Sequence, residues 1–248
     1  MALLSFKRNQ FDGIVVEPAD LSPDPVVFTS QLSDSVTAWK ESGARVVWLT
    51  VPIEKALLVP VAVAQGFVYH HADEHSLELT LTLVDGSYVP PYATHYIGAG
   101  GVVISEERKL LVVVEKYRGG WGHHYKLPGG ALHPGEHIAS AVCREVKEET
   151  GIDTEFQSLV CFRHWHGYRY GKSDIYFISR LKPVSFEISV DPTEIDECLW
   201  MPVDEYLSHA DVHAFNRRIV EAAIHNEGIP RASIDGYGTP ESHELFIP

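Results

Sequence analysis

Cysteine is scarce in this chain. Cys143, Cys161 and Cys198 are scattered along 248 residues with no CxxC spacing and no even framework. That excludes a disulfide-stapled scaffold, points to a reducing compartment and offers neither a thiol nucleophile nor a thiolate metal site. Long apolar runs are missing too: the longest, residues 56–64, is interrupted by Pro60 and falls far short of a membrane span. The opening MALLSFKRNQ has too few apolar positions before Lys7 and Arg8 for a signal-peptide core, so a soluble, cytoplasmic protein with no membrane partner is expected. Positive charge is in short supply. Against 34 Asp and Glu stand 20 Lys and Arg, a net charge of −14, which argues against a nucleic-acid partner.

The rest of the composition, 45% hydrophobic and 22% charged, is that of a globular protein. Its length suits one large domain or two modest ones. Two are expected, residues 1–90 and 91–248, with the break in DGSYVPPYAT (85–94), where turn residues separate strand patterns. The first reads as a strand (11–16), a helix (31–42, with Leu32, Val36 and Trp39 at near-helical spacing), a strand (45–51), a helix (53–65) and two strands (67–71 and 76–83). This compact α/β order is similar to an acetyltransferase fold. No Gly-rich turn opens the helix near Ile53 to cradle a pyrophosphate, so acetyl transfer is not expected. His70 and His71 adjoin on a strand and should point to opposite faces, which with His75 makes them structural or surface residues.

The second part reads as strands at 95–104 and 109–116, a loop at 117–125 leading into the site, a helix beginning near Glu136, and paired strands at 156–166 and 175–181. A short strand at 198–203, a helix at 211–226 and an irregular tail complete it. The glycines at 98, 100 and 101 do not form GxGxxG and imply close backbone packing instead.

Chemistry concentrates in residues 127–152, LPGGALHPGEHIASAVCREVKEETGI. Gly129 and Gly130 permit a sharp turn whose carbonyls can face a cation, and Pro134 and Gly135 close the loop before the helix. Ala139, Val142, Cys143 and Val146 form a core-facing stripe, while Glu145, Glu148 and Glu149 crowd a neighbouring arc. Glu148 and Glu149 also sit in the last turn, where the helix dipole opposes negative charge. The plain alternative is a solvated acidic face in which Arg144 and Glu148 form an ordinary i, i+4 pair, worth about 0.3–0.5 kcal/mol. Hard cations such as magnesium prefer carboxylate and carbonyl oxygens and bridge naturally to phosphate, so the stretch reads as a divalent-metal site for a diphosphate.

From Gly130 the chain also meets every position of GX5EX7REUXEEXGU, with U aliphatic: Gly130, Glu136, Arg144, Glu145, Val146, Glu148, Glu149, Gly151 and Ile152. By this signature it resembles the Nudix family. YGKSDIYFISRLKPVSFEIS and EIDECLWMPVDEY, with AWKESGARVVWLTVPIEKALLVPVAVAQGFVYHHA upstream, are similar to a subgroup carrying an extra N-terminal domain. That subgroup includes the animal protein encoded antisense to a fibroblast growth factor and plant ADP-ribose and NADH pyrophosphatases. The resemblance implies an α/β fold, a Nudix α/β/α sandwich preceded by an acetyltransferase-like α/β domain without acetyltransferase chemistry. It implies Mg2+ or Mn2+, with Glu148 and Glu149 as main ligands and Glu145 as a further ligand or the base. Glu136 would complete the cluster, Arg144 would orient its neighbours, and Gly129 or Gly130 would offer a carbonyl.

The implied reaction is hydrolysis of a nucleoside diphosphate linked to another moiety, ADP-ribose or NADH first, releasing AMP. A different diphosphate, such as a prenyl diphosphate or coenzyme A, and a non-catalytic regulatory role are the alternatives. Glu194 and Glu197, in the acidic loop DPTEIDE, are the other candidates for the base, or simply solvated acids. Trp165, Tyr168 and Tyr170 are candidate stacking surfaces for a base, and Arg163, Arg169 and Lys172 candidate phosphate contacts. His164 and His166 share a strand face, but no third or fourth ligand accompanies them, so they are assigned no metal. The Leu and Val content of the N-terminal part is compatible with a homodimer.

Overall fold

The computed structural model describes residues 3–117 and 122–248. Residues 118–121, within the loop expected at 117–125, lie outside the described residues. The chain divides into two compact units, one ending at Ala93 and the other beginning at Thr94.

In the first unit the elements are β1 (Phe6–Arg8), β2 (Gly13–Val16), α1 (Pro25–Glu41), β3 (Val46–Pro52), α2 (Val59–Ala64), β4 (Val68–Ala72) and β5 (Ser76–Thr82). The strands form one sheet in the order β1-β2-β3-β5-β4, parallel only between β2 and β3. Residues alternate across β3, so Val47, Leu49 and Val51 join Phe28, Leu32 and Trp39 of α1 in the core. Helix α1 starts well before the expected residue 31. The Asp24 side chain accepts from the Val26 N–H at 2.8 Å and Pro25 occupies the first turn, a start signal hidden among prolines. The helix expected over 53–65 is instead a 3-10 turn, Ile53–Leu58, followed by α2. Pro60 sits in the first turn of α2 and so begins that helix. His70 and His71 do not point to opposite faces. The register passes from Tyr69↔Leu79 to His71↔Glu78, leaving His70 as the extra residue of a bulge, and the two Nδ1 atoms lie 2.7 Å apart.

The second unit contains β6 (His95–Val103), β7 (Lys109–Glu115), β8 (Gly129–Ala131), α3 (Ile138–Thr150), β9 (Thr154–Trp165), β10 (Ser173–Pro183), β11 (Ile195–Pro202), α4 (Val203–Ser208) and α5 (Ala214–His225). Four strands pair as β8-β6-β10-β9 and two as β11-β7. Alternation again makes the layers. Val102, Leu110, Val112 and Ile178 pack with Tyr206, Ile219 and Val220 of α4 and α5. Ala99, Val103, Leu111 and Leu181 pack with Val142 and Val146 of α3. Each such buried side chain contributes about 1.5–3 kcal/mol, and the sheets lie between helices as an α/β/α sandwich. The tail is less irregular than expected. It returns as the pair β12 (Arg231–Ala232) and β13 (Leu245–Phe246), and Glu244 accepts from the N–H groups of Ile138 and Ala139 at 2.7 and 3.1 Å. No helix of the described residues is long and apolar enough to cross a membrane.

Candidate active site

Strand β8 and helix α3 present the 127–152 stretch as a turn facing a helix. Gly129 pairs with Gly100 at φ 149°, and a Cβ there would lie 2.3 Å from the Ala99 carbonyl oxygen, so the turn admits only glycine. Beside it, a Cβ on Gly130 would lie 2.5 Å from a carboxylate oxygen of Glu145, which therefore rests on that backbone. Helix α3 stops at Gly151, whose φ of 76° lets its N–H reach the Lys147 carbonyl at 2.9 Å.

Arg144 does more than pair with Glu148. Its Nε and Nη2 donate to the two oxygens of Glu136, both at 2.8 Å, and Nη1 donates to Glu145 at 2.9 Å and Glu148 at 2.8 Å. Nη2 also reaches the Ala131 carbonyl at 3.1 Å, tying α3 to β8. The forked hydrogen bonds from Arg144 hold the Glu136 carboxyl down at about 2. A merely solvated acidic face does not account for this network.

Glu149 faces the other way. It is 7% exposed, accepts from the Gly129 N–H at 2.9 Å and lies 3.9 Å from Lys126 Nζ. Burial pushes its pKa up to about 7, against the pull of Lys126. Glu145, between the two groups, is also raised by burial, with Arg144 opposing the shift. The four signature glutamates are thus divided, three on Arg144 and one beside Lys126, and no three His, Cys, Asp or Glu among the described residues are gathered to hold a metal. The donor chemistry nevertheless fits a hard divalent cation. The available donors are oxygens, and the two desolvated carboxylates are what an added positive charge would stabilise.

A cleft of about 560 Å³ opens against this turn, walled by Glu115, Lys126, Gly130, Arg163, Tyr168 and Tyr176 among others. A second, of about 520 Å³, shares Glu115 and Arg169 with it and is lined by Glu149 and Glu194. Arg163 is held by Asp174 and lies over the rings of Trp165, Tyr176 and Phe215 at 5.4, 5.5 and 5.6 Å. Tyr168 and Arg169 also line the first cleft.

Trp165, Tyr170 and Lys172, expected as substrate contacts, do not line either cleft. Trp165 packs edge-on to Tyr168 at 5.4 Å, and Tyr170, at φ 54° in a tight turn, is 89% exposed. Lys172 closes that turn through its backbone, its N–H donating to Arg169 and its carbonyl accepting from Tyr168. Of the two loop glutamates, Glu194 shares a cleft with Glu149. Glu197 is engaged elsewhere, by His123 at 3.3 Å and the Tyr125 hydroxyl at 3.4 Å.

Sequence reasoning missed Glu115, Lys126, Asp174, Tyr176 and Phe215. A signal existed for Tyr176: Cβ atoms on Gly98, Gly100 or Gly129 would each come within 2.6 Å of it, so two of the three glycines read as close packing, Gly98 and Gly100, make room for this ring together with the turn glycine Gly129. His164 and His166, with rings 4.4 Å apart, gain a neighbour in His95, whose Nε2 lies 2.9 Å from that of His164. The three cysteines are free, and burial raises each thiol, Cys198 to about 12.

Two family models match the chain, the Nudix hydrolase domain over residues 4–83 and the NUDIX domain over residues 94–223. Nudix hydrolase 8 of Arabidopsis thaliana is 38% identical over 229 residues, covering 89% of this chain and 61% of its own length. This chain therefore spans less than two thirds of that relative. Nucleoside diphosphate-linked moiety X motif 6 of Homo sapiens is 36% identical over 230 residues, 90% of this chain and 72% of its own. Among solved structures, a NUDIX hydrolase from Nitrosomonas europaea is 26% identical with a TM-score of 0.48, covering 60% of this chain and 99% of that one.

Proposed function

The chain belongs to the Nudix hydrolase family, and from that premise we propose that it is a magnesium- or manganese-dependent pyrophosphohydrolase of nucleoside diphosphates linked to another moiety. ADP-ribose and NADH-like dinucleotides are the preferred substrates, cleaved to AMP and the other phosphorylated half. The observation that carries this reading is the complete signature bordering a cleft of about 560 Å³, within the range of small-molecule sites.

Glu145, Glu148 and Glu149, with Glu136 and the Gly130 carbonyl, would hold the cation, and Arg144 would release carboxylate oxygens to it while keeping Glu136 in place. The chemistry a divalent ion supplies there is neutralisation of charge at phosphorus and activation of water. Glu194, which lines the same cleft as Glu149, would take the water's proton, with Glu145 and Glu197 as the alternatives. Arg163, oriented by Asp174, would meet phosphate, and Tyr168 would offer a ring to the base.

The test is phosphorus NMR with ADP-ribose, NADH and a prenyl diphosphate, with and without magnesium, alongside Glu149→Gln. AMP formation that needs both the metal and Glu149 is expected. Turnover unchanged in Glu149→Gln would remove the assigned metal site, and cleavage of the prenyl diphosphate alone would move the substrate class.

A further inference from the structure

The N-terminal unit contains a cleft that the Nudix chemistry does not use. Helices α1 and α2 cover only one face of its sheet, through Val47, Leu49 and Val51. On the opposite face β3 presents Trp48, only half-buried, and Val46, 5% exposed. Residues 84–92 run along that face as a partial roof. The Pro90 carbonyl lies 2.8 Å from His70 Nε2, and the Tyr92 ring stacks on His71 at 4.2 Å. Between roof, sheet and the β1–β2 hairpin remains a cleft of about 710 Å³, larger than either cleft of the second unit.

Its walls have a definite chemistry. Phe11, Trp48 and Tyr88 supply three rings, and Phe11 and Tyr88 are 72% and 79% exposed, a large apolar surface left wet on a cleft wall. Two charged residues line it, Asp12 and Arg45. Asp12 is answered by Arg8 at 3.6 Å. The Arg45 backbone is pinned on both sides, its N–H donating to Asp12 at 3.0 Å and its carbonyl accepting from Leu83 at 2.9 Å, yet its exposed guanidinium makes no ion pair or hydrogen bond among the described residues. Arg45 is therefore the uncompensated charge of this wall, on a chain of net charge −14. The hairpin is held rather than loose: Asp12 stands at φ 56°, and Asn9 Oδ1 accepts from both Phe11 and Gly13 at 2.9 Å.

Aromatic walls plus one free guanidinium match a planar aromatic ring carrying an anionic group. We propose that this cleft binds a nucleoside monophosphate, its base stacked against Trp48 and Tyr88 and its phosphate on Arg45. Such a site would sense the nucleotide product through residues of the first unit alone, none of which lines the Nudix cleft. The choice of AMP as ligand rests on the hydrolysis proposed above, whereas the shape and charge of the cleft do not.

The experiment titrates AMP into the full chain carrying Glu149→Gln, in EDTA, followed by tryptophan fluorescence and calorimetry, so that no turnover is needed. Saturable binding is expected, weakened about tenfold or more by Arg45→Ala and by Tyr88→Ala, both substitutions at exposed positions. Adenosine should bind more weakly than AMP and be indifferent to Arg45→Ala. No AMP binding, or binding that depends on Arg163 and ignores both Arg45 and Tyr88, would overturn the proposal. Absence of AMP release in the NMR experiment counts against the hydrolysis alone, because this binding is read without it.

Discussion

At Glu149 burial and charge pull against each other, and the consequence is measurable without substrate. Its pKa of about 7 lies above the ordinary 4.5, with burial the largest cause. The stability given by the neutral carboxyl is therefore complete below pH 4.5 and lost as pH rises through 7, about 3 kcal/mol at the plateau. Glu149→Gln keeps an oxygen to accept from Gly129 and removes the charge. In EDTA its urea midpoint at pH 8 should exceed that of the wild type, while at pH 4.5 the two should converge. A variant no more stable at pH 8 than the parent would show that Lys126 already compensates the carboxylate. Gain in stability with loss of turnover is the pattern of a residue kept for chemistry.

Helix α3 depends at both ends on contacts that its own residues do not reveal. His137 makes no side-chain cap, and the task falls to Glu244, more than a hundred residues away, which takes two N–H groups of the first turn. Glu244→Ala should cost about 1 kcal/mol, read as a lower urea midpoint at constant slope. At the other end Gly151 holds a left-handed conformation, and a Cβ there would lie 2.8 Å from Ser189. Gly151→Ala combines backbone strain with that clash and should cost more than the loss of the cap, about 1–3 kcal/mol or above. An equal or smaller loss would mean that the Ser189 segment yields. The apolar stripe of α3 was readable in advance, since Ala139, Val142 and Val146 recur at helical spacing and are buried. Its N-terminal cap was not, because Glu244 lies in a Gly- and Pro-containing stretch that reads as tail.

Over the whole molecule the acidic excess and the divided carboxylates point to one further result. Magnesium should raise the melting temperature of the wild type, by the equivalent of about 2.7 kcal/mol at a concentration one hundred times its dissociation constant. In Glu149→Gln most of that increase should vanish, and an undiminished increase would place the ion elsewhere. The signature spacing, most of the strand and helix order and the α/β class were legible in the amino-acid sequence, whereas β1, β8, α4 and the β12–β13 pair were not expected from it. The legible features arise from local periodicity, turn chemistry and fixed offsets between neighbouring residues, as in the alternation of Val102 and Val103 between two helical layers. Only the tertiary structure decided that Arg144 takes three glutamates and Lys126 the fourth, that a bulge turns His70 and His71 to one side, and that Tyr176 lies on three glycines. It also decided that Tyr168 reaches a cleft wall while Tyr170 does not. Each of these turns on which distant segments pack together, and side-chain direction at such contacts is set by the space that other elements leave.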